Sequence, residues 1–182
     1  MATTGRRAWL EGQEGAGSEP LVRIREAGRA DLSTVSGLEA ELYSNPWHPD
    51  TFRSLLRRKQ ARILVAEDPG EGVVGYAVFW WVMDQAELAN LAVAREHQGA
   101  GVGGALLDRV LDEVAGLGVR TLFLEVRMSN ESASRLYASR GFTQVSIRRG
   151  YYRNPREDAR VLARTLPPST RKMKGDLRGD PG

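Results

Sequence analysis

A glycine-rich segment between an apolar strand and an amphipathic helix constrains the fold of this chain more than any other feature. The apolar run 91–93 leads through a polar link into residues 98–104, which include four glycines, and a helical pattern follows from Val102. The first N–H groups of a helix lack intrahelical partners, the helix dipole adds positive charge, and glycines let an anion approach the backbone. The segment therefore predicts a phosphate or pyrophosphate site.

Two alignments of these glycines predict different ligands. Gly99, Gly101 and Gly104 fit G-x-G-x-x-G, with Glu125 as the ribose-binding acid of a dinucleotide fold. In that fold the first glycine follows its strand directly, whereas residues 95–98 intervene here, and too few βα units follow Glu125. No lysine follows the glycines, which excludes a P-loop. The other alignment, Q-x-x-G-x-G, begins at Gln98, and a glycine turn without a ligand is the third alternative.

The composition limits the classes of site and partner. The 182 residues suit one domain, and the absence of cysteine excludes disulfides, thiolate metal sites and a cysteine nucleophile. His48 and His97 stand apart in polar segments, so we expect no metal site. The net charge of +3 is small, and we expect no nucleic-acid partner. Neither a signal-peptide core nor an apolar run of the ~20 residues that span a bilayer occurs, so we expect a cytoplasmic protein without membrane contact.

The patterning predicts one α+β domain over residues 20–166. Residues 1–19 and 167–182 lack apolar periodicity, and we expect both to be disordered tails. Apolar runs predict seven strands, at 21–25, 63–67, 73–83, 85–94, 121–126, 143–149 and 159–165. Turn signals between the second, third and fourth of these strands indicate hairpins. Such hairpins speak against an all-parallel sheet.

Helical spacing predicts the elements that pack on this sheet. Asp31 is expected to cap a first helix, and a short second helix follows the break at Asn45-Pro46. The long helix spans 102–115, and another begins near Asn130 and ends before Gly141. The last two strands are expected to flank a loop that carries two tyrosines.

Three polar side chains near the predicted phosphate site are candidates for chemistry. Glu125 interrupts the apolar strand 121–126, whose near-continuous pattern predicts burial on both faces, and a buried carboxylate has a raised pKa suited to a general base. The alternative is a salt-bridged residue that faces solvent. Asn130 either caps its helix or contacts a ligand there. Tyr137, with an ordinary pKa of ~10, either packs in the core or donates a proton to a leaving group.

These residues belong to motifs that carry a family resemblance. Residues 90–93, 98–103, 124–130, 136–137 and 141–142 resemble the successive acetyl-CoA motifs of the Gcn5-related N-acetyltransferases, the GNAT family. The resemblance covers essentially all of 20–166. It implies the GNAT fold, a central mixed, mostly antiparallel sheet flanked by helices, with a pyrophosphate loop between the fourth strand and the long helix. It also implies acetyl-CoA as the co-substrate.

The resemblance also implies a role for each matching residue. The backbone of Leu91, Ala92 and Val93 would contact the pantetheine arm and the acetyl carbonyl, and Asn130 would hold the cofactor further along. Glu125 would be the base and Tyr137 the acid of a direct transfer. The pyrophosphate would bind at the glycine-rich loop, formed by Gln98, Gly99, Ala100, Gly101, Val102, Gly103 and Gly104.

Other segments suggest the acceptor. Asn45-Pro46-Trp47 and residues 148–152 and 156–159 resemble the RimI type, which acetylates the N-terminal alanine of the eighteenth small-subunit ribosomal protein. Gly150 departs from that pattern, since relatives commonly have asparagine there. A protein N-terminus is thus the expected acceptor. A lysine side chain, a small amine, or a non-catalytic module that senses acyl-CoA are the alternatives.

Overall fold

The computed structural model describes residues 22–167 of the chain. The predicted tail 1–19, and the predicted tail 167–182 apart from its first residue, lie outside this range. The described residues form seven strands and four α-helices: β1 (Arg23–Glu26), α1 (Leu32–Leu42), α2 (Pro49–Leu55), β2 (Ala61–Asp68), β3 (Gly72–Val82), β4 (Gln85–Val93), α3 (Val102–Gly116), β5 (Thr121–Arg127), α4 (Glu131–Ser139), β6 (Thr143–Arg153) and β7 (Arg156–Thr165).

The strands form one sheet in the order β1-β2-β3-β4-β5-β7-β6. Every neighbouring pair is antiparallel except β4 and β5, which are parallel. The mixed, mostly antiparallel sheet expected from the sequence is therefore confirmed. The parallel pair arises because α3 forms the crossover between β4 and β5.

The helices cover the two faces of the sheet and create two hydrophobic clusters. The apolar stripe of α3, together with Tyr137 of α4, packs on one face. Helices α1 and α2 bury Val35, Leu38, Phe52 and Leu55 on the other face. Among residues 22–167, no helix is long and apolar enough to cross a membrane.

Asp31 does not cap α1, contrary to the sequence expectation. Its carboxylate instead accepts the N–H of Gly28 at 2.7 Å and a bidentate pair of bonds from Arg25 at 2.8 and 2.9 Å. The cause is a 3₁₀ turn over residues 29–31, which precedes the helix and moves Asp31 out of the extended conformation that a capping residue requires.

The expectation that strand 121–126 is buried on both faces is also wrong. Leu122, Leu124 and Val126 are buried under α3 and α4, whereas Phe123 and Glu125 on the other face are only partly buried. The sequence does not show this alternation of buried and partly buried residues, because Phe123 is apolar although its side chain is only partly buried.

The two tyrosines near the end of the chain lie on a strand and not in a loop. Strand β6 continues through Tyr151 and Tyr152 to Arg153, and its turn comprises residues 154–155. The strand continues because Gly150 adopts a left-handed φ of 57° at an irregularity in its pairing with β7. Asparagine is the residue other than glycine that best tolerates this conformation, so the departure from the family pattern is conservative.

Candidate active site

The parallel pairing of β4 and β5 stops early and leaves a gap in the sheet. Only residues 85–87 of β4 pair with residues 121–123 of β5. Beyond these three pairs the strands diverge around a cavity of about 630 Å³, which we call the central cavity. It is lined by residues of α1, the α1–α2 loop, β3, β4, β5, α4 and β6. An elongated ligand can therefore pass between the strands and contact both faces of the sheet.

Alternate peptide groups of β4 point away from β3 and toward this gap. The Tyr43 hydroxyl donates to the carbonyl of Leu91, and the side-chain amide of Gln98 donates to the carbonyl of Val93, both at 2.9 Å. The next residue, Ala94, bonds to β3 through its N–H. Peptide groups alternate in direction along a strand. The N–H groups of Leu91 and Val93 therefore point away from β3, whereas the N–H group of Ala92 points toward it.

The glycine-rich loop lies between β4 and α3, at the position that the sequence predicts. Gly99 and Gly101 adopt φ values of 80° and 84°, a conformation that favours glycine. Gly101 precedes α3 and provides no side-chain cap, so the N–H groups of the first turn, from Val102 onward, are available to an anion. With the helix dipole, this arrangement fits a pyrophosphate.

Gly104 has a structural role within this loop. A Cβ atom at this position would lie 2.6 Å from a guanidinium nitrogen of Arg140. Arg140 follows α4 and binds both carboxylate oxygens of Asp108 on α3, at 3.0 and 3.1 Å. The small residue therefore lets Arg140 pass over the first turn of α3 and connect the end of α4 to the middle of α3.

Glu125 projects from β5 into the central cavity. Its side chain is 13% exposed, and Nη1 of Arg148 on β6 lies 2.8 Å from its Oε1. Burial raises the pKa of Glu125, the nearby carboxylate of Glu87 raises it further, and Arg148 opposes both effects. The salt bridge proposed as the alternative to a catalytic role therefore exists, but the carboxylate lies in the cavity instead of facing bulk solvent.

Tyr137 reaches the same cavity from the opposite side of the sheet. It is 7% exposed and packs against Phe142 at a ring-centre distance of 5.7 Å. Burial raises the pKa of its hydroxyl above the ordinary value, and Tyr152 contributes to the same shift. The phenol is therefore protonated at neutral pH.

Asn130 combines the two roles considered for it in the sequence. Its Oδ1 accepts the N–H of Ala133 at 3.0 Å and caps α4, so the capping role is confirmed. The residue also lines the central cavity. Its amide nitrogen remains able to donate a hydrogen bond to a ligand.

A buried carboxylate that sequence analysis missed organises one wall of the cavity. Glu39 of α1 is 1% exposed and accepts hydrogen bonds from the Tyr76 hydroxyl, from Nδ2 of Asn90 at 2.8 Å and from the N–H of Trp47 at 2.9 Å. It therefore joins α1, β3, β4 and the α1–α2 loop. The sequence feature that could have identified Glu39 is its position beside Leu38, where a charged residue adjoins the apolar stripe of α1.

The rim of the cavity is built from the α1–α2 loop and the β6–β7 hairpin. Trp47 stacks on Trp80 with ring centres 6.3 Å apart. The guanidinium of Arg127 lies 3.9 Å from the ring centre of Tyr152 and 3.3 Å from a carboxylate oxygen of Glu157. These contacts hold aromatic side chains around the entrance to the cavity.

Comparisons with known proteins agree with this geometry. The model of the Acetyltransferase (GNAT) family matches residues 32–142. The [ribosomal protein bS18]-alanine N-acetyltransferase of Escherichia coli K12 is 38% identical over 135 residues, which cover 73% of this chain and 90% of that protein. The enzyme of the same name from Haemophilus influenzae is 34% identical over 143 residues, 77% of this chain and 96% of that protein.

Solved structures give the same result. The crystal structure of the ribosomal-protein-S18-alanine N-acetyltransferase from Escherichia coli superposes with a TM-score of 0.75 and 34% identity, covering 84% of this chain and 98% of that one. Ard1 from Thermoplasma volcanium superposes with a TM-score of 0.74 and 25% identity over 81% of this chain and 99% of that one. This chain therefore belongs to the GNAT family of acetyltransferases, and its acetyl donor is acetyl-CoA.

Proposed function

We propose that this protein acetylates the α-amine of a protein N-terminus, and that its acceptor is the N-terminal alanine of ribosomal protein bS18. The observation that carries the proposal is the convergence of Glu125 and Tyr137, from opposite sides of the sheet, on the central cavity. The named relatives act on the same acceptor. The catalytic domain is proposed to span residues 20–166.

The chain would hold acetyl-CoA along β4 and the glycine-rich loop. The first-turn N–H groups of α3 would bind the pyrophosphate, and the Asn130 amide would contact the cofactor further along. The N–H groups of Leu91 and Val93 point away from β3 and are placed to bind the pantetheine arm and the acetyl carbonyl. A donor at the carbonyl oxygen stabilises the negative charge that develops there during attack.

Glu125 would act as the base. The acceptor enters as an ammonium ion, and Glu125, through a water molecule, removes one proton from it. The free amine then forms a bond to the acetyl carbon. The raised pKa of Glu125 brings its basicity closer to that of the amine, which favours the transfer.

Tyr137 would act as the acid. As the carbon–sulfur bond breaks, its hydroxyl donates a proton to the departing sulfur, and the products are the amide and free CoA. The burial that raises the pKa of Tyr137 also disfavours a bare thiolate in the same environment, so the proton is transferred as the charge develops. The new amide nitrogen loses its second proton, which returns to Tyr137 through solvent, and release of the proton held by Glu125 completes the cycle.

Proton chemistry favours an N-terminal amine over lysine. Near pH 7.4 an α-amine with a pKa of ~8 is roughly 20% neutral, whereas a lysine amine with a pKa of ~10.4 is about 0.1% neutral. One carboxylate base is therefore sufficient for an N-terminus.

Mass spectrometry of a short peptide tests the proposal. A peptide that begins Ala-Arg-Tyr, incubated with the enzyme and acetyl-CoA, should gain one acetyl group on its α-amine. A peptide with a blocked N-terminus and one lysine should react much more slowly. Equal rates on the two peptides, or a clear preference for a polyamine, would contradict the proposal.

A further inference from the structure

Glu87 is a carboxylate of the central cavity, besides Glu125 and Glu39, and the mechanism above does not use it. It pairs with Trp80 across β3 and with Phe123 across β5, at the last rung before the strands separate. Paired residues in neighbouring strands point to the same face of a sheet, and alternate residues of one strand share a face. Glu87 therefore lies on the same face as Glu125, two residues beyond Phe123, and both line the cavity.

The side chain of Glu87 is held in position by a tryptophan. Nε1 of Trp80 donates to Oε2 of Glu87 at 3.1 Å. Trp80 is itself stacked on Trp47 of the α1–α2 loop at an interplanar angle of 22°. One carboxylate oxygen is therefore fixed by a neutral donor, and the other is free to accept a bond from a ligand.

The two carboxylates differ in how their charge is balanced. Glu125 has Arg148 as its counter-ion, and Arg127 on the cavity wall is paired with Glu157. Within residues 22–167, Glu87 forms no ion pair shorter than 4 Å. A partly buried carboxylate without a counter-ion attracts a cation. The carboxylate of Glu87 is therefore available to a cationic ligand, although Arg153 also lines the cavity.

We propose that Glu87 binds the acceptor's α-ammonium group and, with Glu125, holds it at the entrance to the gap between β4 and β5. This inference rests on the proposed function, because it concerns how the proposed acceptor, a protein N-terminus, binds in its ammonium form. An ammonium group has three N–H donors, so it can bond directly to Glu87 and, at the same time, to Glu125 through the water molecule. Glu125 then receives the proton, while Glu87 keeps the nitrogen in place.

The variant Glu87→Gln tests this role with little disturbance of the fold. Its amide oxygen can still accept the Trp80 N–H, but the charge is lost. We expect the KM for Ala-Arg-Tyr to rise roughly ten- to hundred-fold, the range for a hydrogen bond to a charged group, while the KM for acetyl-CoA stays at the parental value. The exposed Glu26→Gln variant is the matched control and should leave both constants unchanged.

A binding measurement isolates the ammonium group itself. Calorimetry in the presence of CoA, at a pH where the amine is protonated, compares Ala-Arg-Tyr with propionyl-Arg-Tyr, which differs by the loss of the amino group. The parent should prefer the ammonium peptide, and Glu87→Gln should lose most of that preference. Trp80→Phe, which removes the positioning donor, should lose part of it.

The outcomes separate this inference from the proposed function. If the parent acetylates Ala-Arg-Tyr and Glu87→Gln keeps the parental preference for the ammonium peptide, Glu87 does not bind the ammonium, although the acceptor assignment stands. If the parent fails to acetylate the peptide but acetylates a polyamine, the acceptor assignment is wrong. Parental affinity for CoA in Glu87→Gln verifies that the variant is folded.

Discussion

Nη1 of Arg148 lies 2.8 Å from Oε1 of Glu125, so the candidate base has a counter-ion from β6. Strand β6 lies at the edge of the sheet, and the Arg148 side chain is 57% exposed. Arg148 also lies over the ring of Tyr151, 5.5 Å from its centre. The edge strand, which contributes little to the core, therefore influences the basicity of a residue in the central cavity.

Arg148→Gln should make Glu125 a stronger base that is protonated over a wider pH range. Burial and Glu87 raise the pKa of Glu125 and Arg148 lowers it, so loss of the guanidinium raises that pKa further. The acidic limb of the kcat/KM profile should therefore move to higher pH, by a modest amount because the pair is partly solvent-exposed. Steady-state assays from pH 5.5 to 9 measure it, with exposed Arg149→Gln as the control. A limb that moves to lower pH would contradict the assignment of Glu125 as the base.

Glu125→Gln and Tyr137→Phe should lower turnover while acetyl-CoA still binds. Each substitution preserves the size of the side chain and removes one proton-transfer group, so kcat should fall by roughly 10²–10⁴. Mass spectrometry of reactions quenched at successive times measures turnover, and calorimetry measures CoA affinity. The exposed carboxylate of Glu131, changed to glutamine, is the control. Parental turnover in both variants would show that the role assignments are wrong.

Gly101→Asp should abolish CoA binding. The residue has a φ of 84° and precedes the free N–H groups of α3, so an acidic side chain there adds strain of roughly 1–2 kcal/mol and repels the pyrophosphate. Gly101→Ala separates the two effects, because it adds the strain without the charge. Gly116→Ala, in the last turn of the same helix where a Cβ meets nothing within 4 Å, is the control. Calorimetry and urea unfolding distinguish affinity from stability, and CoA binding by Gly101→Asp would contradict the predicted site.

Glu39→Ala should destabilise the fold and weaken acceptor binding. It leaves the donors of Tyr76, Asn90 and Trp47 without their acceptor in a buried region, at a cost of roughly 3 kcal/mol or more. Loss of the bond to Trp47 should also raise the KM for the peptide more than that for acetyl-CoA. Urea unfolding and steady-state kinetics provide the measurements, and exposed Glu41→Gln on the same helix is the control. Parental stability of Glu39→Ala would contradict the prediction, since it would show that the three donors do not need the carboxylate as their acceptor.

Local patterns in the sequence are sufficient to predict the helix and the turns around the glycine-rich loop. The helix predicted at 102–115 is α3, Val102–Gly116, and the turn after it contains Gly118 with a φ of 80°. Its start could be read from glycines that tolerate positive φ, and its length from apolar residues at helical spacing. The prediction for Asp31 is wrong because aspartate is favoured both as a helix cap and in a turn before a helix. Only the bonds from Arg25 in the folded chain distinguish these two roles.

The sequence by itself determined the family, the fold class and the glycine-rich loop, because these depend on residues close together in the chain. The tertiary structure decided where β4 and β5 separate, and thereby which groups meet in the central cavity. Periodicity reports which face of a strand is buried, but it does not report the rung at which two strands stop pairing. For that reason the sequence pattern does not single out Glu87, on the last paired rung, although it shares a cavity with Glu125.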